Sequence, residues 1–151
     1  MIGAFVVAVA MVGSSQTVAQ IRNEPLATPP SRAEVVETPL ANPQQTELLV
    51  RCSDDRGPIA FFAAVVDSSG QNLDPTGRGL YRGGRFASDG SFATPAKPGN
   101  VEVSIQAGPN HVPLKTEATL KPGKRTELKV VLTRWFSPET RGWYGGDNHV
   151  H

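Results

Sequence analysis

The sequence predicts an all-β fold, an antiparallel β-sandwich, on three observations. Apolar and polar residues alternate with period two in several short runs. Turn signals separate those runs at short intervals. No long helical periodicity is present, while glycine (15) and proline (13) are abundant in 151 residues. The clearest run is Val101-Glu102-Val103-Ser104-Ile105-Gln106-Ala107, one face apolar and one face wet. Leu114, Thr116, Ala118 and Leu120 repeat the pattern after the turn "GPNHVP", and Leu128, Val130 and Leu132 repeat it after Pro122-Gly123. "ELLVRC" is a further strand, closed by "SDDRGP". "IAFFAAVVD" is almost wholly apolar and reads as a strand covered on both faces. Asp89-Gly90, between "GLYRGGRFA" and "SFAT", is a hairpin signal because both residues tolerate positive φ. These runs place the sandwich at residues 46–136, a normal size for one such domain.

The flanks read differently. The apolar run Ile2–Val12 is shorter than the ~20 residues a membrane span needs. It fits the h-region of a secretory signal over residues 1–19. Thr17-Val18-Ala19 offers small residues for cleavage before Gln20, although no Lys or Arg precedes the run. Export to the periplasm or the extracellular space follows as an expectation, with no stable membrane span. Pro25, Pro29, Pro30, Pro39 and Pro43 interrupt residues 20–45, which reads as an extended, disordered linker.

Charge excludes some partners. Lys+Arg (15) and Asp+Glu (14) nearly balance, so neither nucleic acid nor an anionic membrane is expected. The densest basic cluster, Lys121, Lys124 and Arg125, flanks Pro122-Gly123 and reads as a solvated hairpin tip. A single cysteine, Cys52, precludes an intramolecular disulfide. It lies beside Leu48-Leu49-Val50 and reads as a small buried hydrophobe rather than a nucleophile. Asp54 and Asp55 read as turn residues. Arg82 and Arg85 around Gly83-Gly84 read as loop geometry rather than an anion cradle, and His111 as a polar residue near a loop.

Candidate chemistry lies in the last stretch. Ser137-Pro138-Glu139-Thr140 has the residues of one capped helical turn. "GWYGGDNHVH" follows. On a strand, His149 and His151 point to one face about 7 Å apart and can converge on a cation. Asp147 shares that face and can orient a ligand ring from behind.

"RGWYGGDNHVH", preceded by "LTRW", resembles the start of the catalytic domain of PHP-superfamily metallohydrolases of the carbaryl-hydrolase type. Trp143, Tyr144, Gly146, Asp147, His149 and His151 match the motif of that branch. "GRFASDGSF" and "KPGNVEVSIQAGPN" are similar to the sandwich that precedes the catalytic domain there, of carboxypeptidase-regulatory or transthyretin-like type. The resemblance implies that residues 137–151 begin a β/α barrel with His149 and His151 as its first metal ligands. It also implies divalent zinc, manganese or iron and a small ester or phosphoester substrate. The family's remaining ligands have no counterpart in this sequence. The expectation is therefore the N-terminal fragment of an exported metallohydrolase. It would bind no metal firmly, be inactive alone, and have the missing downstream catalytic domain as its partner. The other expectation, from a different class, is a complete small exported binding protein whose C-terminal histidines are incidental.

Overall fold

The computed structural model of the protein describes residues 29–77 and 79–142. Among the described residues are nine strands, one 3-10 turn and no α-helix. None of their helical segments is long and apolar enough to cross a membrane.

Two sheets carry the strands. One runs β1 (Arg32–Pro39), then β9 (Lys124–Val131), then β2 (Glu47–Asp54). The far edge of β2 is shared by the two-residue β3 (Gly57–Pro58) and by β6 (Ser91–Pro95). The other sheet runs β5 (Arg85–Asp89), β4 (Ala60–Val66), β7 (Gly99–Gln106) and β8 (Leu114–Leu120).

Period-two patterning accounts for the core. Val101, Val103 and Ile105 of β7, with Phe61, Ala63 and Val65 of β4, form the inner rows of one sheet. Leu48, Val50 and Cys52 of β2, with Leu128 and Val130 of β9, form those of the other. All belong to one buried cluster. Each large apolar side chain removed from water contributes about 1.5–3 kcal/mol against the entropy of ordering the chain.

Five expectations need correction. First, β1 lies inside the segment expected to be a disordered linker. It pairs antiparallel with β9 from Arg32↔Val131 to Pro39↔Lys124. No β1 residue is fully buried; Ala33 packs partly against the core, and backbone pairing and charge supply the rest. Glu37 meets Lys121 at 2.7 Å and Lys124 at 3.0 Å, and the two ammonium groups keep its carboxyl below the usual range. Second, the basic cluster stays solvent-exposed but caps no hairpin, because β8 and β9 lie in different sheets; Arg125 also pairs with Glu47 at 2.7 Å. Pro122-Gly123 joins β8 to β9 across the two sheets. Gly123 has φ +71°, and a Cβ there would sit 3.1 Å from the Pro43 backbone.

Third, Asp89-Gly90 makes no hairpin. β5 pairs with β4 while β6 pairs with β2, so the chain changes sheets at Gly90, whose φ is +75°. The Ser88 hydroxyl donates to the Ser91 carbonyl at 2.7 Å across this corner. Fourth, β4 is covered on one face only, with Phe62 46% exposed. Its outward Ala60, Ala64 and Val66 mask the alternation in the sequence. Fifth, the sandwich is not purely antiparallel, because β2 and β9 run parallel.

Three buried side-chain atoms of the described residues have no hydrogen-bond partner: the Thr126 hydroxyl, Arg134 Nε and Glu139 Oε1. Thr126 on β9 is fully buried and its hydroxyl has no hydrogen-bond partner. A buried hydroxyl without a partner costs about 1–3 kcal/mol. Thr126→Val removes that cost at nearly constant shape. Calorimetry is expected to give a melting temperature higher by several degrees, at roughly 4–8 °C per kcal/mol for a domain of this size. A lower melting temperature would contradict the assignment.

Candidate functional site

His149, His151 and Asp147 lie outside the described residues, as do Trp143, Tyr144 and the signal segment 1–19. The described chain reaches Gly142, immediately before the histidine motif. What the structure shows is how the sandwich carries the chain to that point.

The segment after β9 stays on the sandwich. Leu132 is buried, and its N–H donates to the Ser53 carbonyl at 2.9 Å. Thr133 donates its N–H to the Ser31 hydroxyl at 2.9 Å, and that hydroxyl donates to the Val112 carbonyl at 2.6 Å. Val112 returns an N–H to the Thr133 carbonyl at 2.8 Å. Trp135 donates its backbone N–H to the Asn110 carbonyl (3.1 Å) and its indole N–H to the Pro109 carbonyl (2.7 Å). Residues 132–135 thus run along loop 107–113, with residues 30 and 31 stapled beside them.

Asp54, the last residue of β2, is the centre of this end. Its side chain is fully buried. One carboxylate oxygen accepts from the Arg56 backbone N–H at 2.8 Å. The other accepts from Arg134 Nη2 and faces His111 Nε2 at 3.1 Å. His111 Nδ1 faces the Ala107 carbonyl at 2.6 Å. Burial pushes the Asp54 carboxyl up. The bonds from His111, the Arg56 N–H and Arg134 outweigh that and bring it down to about 2. Neighbouring Asp55 is exposed and lies 3.8 Å from Arg134 Nε.

A second tie follows. The Arg56 guanidinium pairs with the Glu139 carboxylate and donates to the Ser137 hydroxyl at 3.3 Å. Glu139 sits in the 3-10 turn Pro138–Arg141, where the sequence has its capped-turn residues. Thr140 donates both its N–H and its hydroxyl to the Ser137 carbonyl, at 3.2 and 2.7 Å. Gly142 closes the turn at φ +71°.

This constellation is a clasp rather than a reaction centre. Asp54 and His111 are shielded from solvent, and their polar atoms are taken up by protein partners. Desolvation offsets much of the attraction in a buried ion pair of this kind, while removing one partner leaves a buried charge uncompensated. Among the described residues no group of three or more His, Cys, Asp or Glu side chains is placed to hold a metal. Cys52 is 1% exposed, and burial together with the Asp54 charge pushes its thiol up to about 12, so it is no nucleophile at neutral pH. Arg85 Nε donates to the Arg82 carbonyl at 3.4 Å and Arg85 Nη1 to Gln106 at 3.5 Å, which ties Arg85 to the loop and to β7.

Sequence reasoning missed the clasp. Asp54, His111 and Arg134 are 57 and 80 positions apart in the contacts they make, and each looks ordinary in its own neighbourhood. The available signal was a charge at an inward β2 position, in phase with Leu48, Val50 and Cys52.

No protein-family model matches the chain. No curated protein matches it either.

Proposed function

We propose that this chain is the N-terminal part of an exported, metal-dependent hydrolase of the phosphoesterase-like kind, acting in the periplasm or outside the cell. The sandwich is its accessory module. His149 and His151 are the first metal ligands of the catalytic domain that follows, with Asp147 supporting them. Zinc, manganese or iron would activate a water for attack on a small ester or phosphoester when bound by the complete ligand set.

One observation carries the reading. The segment leading to the histidine motif is clasped to the sandwich through Arg134–Asp54 and Arg56–Glu139 rather than leaving it as a loose tail. A clasped exit suits a module that orients a following domain, because a fixed departure point limits the positions that domain can take.

Two histidines supply fewer ligands than the three a catalytic zinc site usually takes from protein. Calorimetric titration of the purified chain with zinc or manganese is therefore expected to show weak binding, Kd above roughly 10 μM. No metal-dependent hydrolysis of bis-p-nitrophenyl phosphate is expected from it. Tight one-to-one binding that His149→Ala and His151→Ala abolish would overturn this reading and favour a small metal-binding protein.

A further inference from the structure

A groove of about 610 Å³ crosses the outer face of the sheet that contains β1, β9, β2 and β6. That volume is in the range of small-molecule sites. The strand register sets what lines it. Glu34, Lys129, Arg51 and Ser91 stand side by side on β1, β9, β2 and β6. Arg32, Val131, Ser53 and Pro58 form the adjoining row.

One pair of charges in these rows opposes stability. Lys129 and Arg51 are direct neighbours on parallel strands, both exposed on one face, with backbones about 4.8 Å apart. Like charges so placed repel. Glu127 relieves Arg51 at 3.0 Å. Among the described residues neither Lys129 nor Arg32 makes an ion pair, although Glu34 stands opposite Lys129 in register. Between the cations the floor is small and partly apolar, with Ser53, Ser91, Val131 and Pro58.

We propose that this groove binds a small organic oxyanion, a carboxylate or phosphate on an apolar body. Lys129 and Arg32 anchor the charge with Arg51 beside them, and the body lies over Val131 and Pro58. A bound anion turns the repulsion between Lys129 and Arg51 into shared attraction. Glu34 and Asp89, which also line the groove, oppose an extended polyanion and favour a ligand with one charged end. The site is independent of the histidine motif and of the hydrolase reading.

The test is an amide-shift titration of the intact chain with phenyl phosphate, benzoate and inorganic phosphate in parallel. At least one aromatic anion is expected to bind saturably with Kd of a few millimolar or better, shifting the amides of residues 32, 51 and 129. The two aromatic arms decide between phosphate and carboxylate. Lys129→Gln is expected to weaken binding about tenfold while leaving the melting temperature equal or higher, because it removes a repulsion. Lys97→Ala, an exposed cation away from the groove, should change nothing. The proposal falls if neither aromatic anion saturates, if Lys129→Gln binds as well as the parent, or if inorganic phosphate binds as tightly as the aromatic anions. A fall in melting temperature for Lys129→Gln would also overturn the premise that the charge is held there against stability.

Discussion

Asp54→Asn is expected to lower the free energy of unfolding by about 3 kcal/mol at neutral pH, because breaking one side of a buried ion network leaves the remaining charge uncompensated. The amide keeps the shape but has one acceptor oxygen where the carboxylate has two, so either Arg134 or the Arg56 N–H is left facing a donor. Arg134→Met in the same background should then cost much less than it does alone, since the charge it once met is gone. The pH dependence has a definite sign. The folded carboxyl is held down at about 2 against an ordinary 3.8. Its stabilisation is therefore fully present above pH 3.8 and fades as pH falls through 2. The amount is on the order of 2 kcal/mol. Urea titrations at several pH values between 2 and 7 check this. A parent protein whose loss of stability below pH 4 matches that of Asp54→Asn would refute the clasp.

Phe86→Ala is expected to cost about 4 kcal/mol, the usual range for deleting a buried aromatic ring. Phe86 is 1% exposed and meets the edge of Phe92 with ring centroids 4.8 Å apart, and Phe92 in turn lies 6.2 Å from Phe61. These rings come from β5, β6 and β4, so they stitch the two sheets together beside the corner at Gly90. Phe62→Ala, one residue along from Phe61 but outward and half exposed, should cost under about 1 kcal/mol. Equal losses for Phe62→Ala and Phe86→Ala would mean that β4 is covered on both faces after all.

The inner rows of β2, β7, β8 and β9 were legible in the sequence because burial on one face imposes period two on side-chain polarity. β1 was not legible, because it fully buries no side chain and only Ala33 packs partly against the core. The rest of its stability comes from a backbone ladder and from Glu37 between Lys121 and Lys124, and neither leaves a hydropathy pattern. The prolines around it argued for a linker, yet Pro39 falls at the end of an edge strand, where a missing N–H is tolerated. Asp89-Gly90 and Pro122-Gly123 were legible as turns. A turn residue encodes φ, however, and not whether the next strand stays in the same sheet. Asp54 and Asp55 both read as turn residues in the sequence, but Asp54 ends β2 with its carboxylate buried and only Asp55 lies in the turn, exposed. Of the candidate site, the sequence offers the histidine motif, and the structure contributes the clasped approach to it.

The nucleotide sequence following codon 151 tests the hydrolase reading most directly. The expected result is coding sequence, in the same frame or a shifted one, for a barrel on the order of 250 residues with further His, Asp and Glu ligands. A stop codon at that point, with no such ligands encoded in any frame over that length, would contradict it.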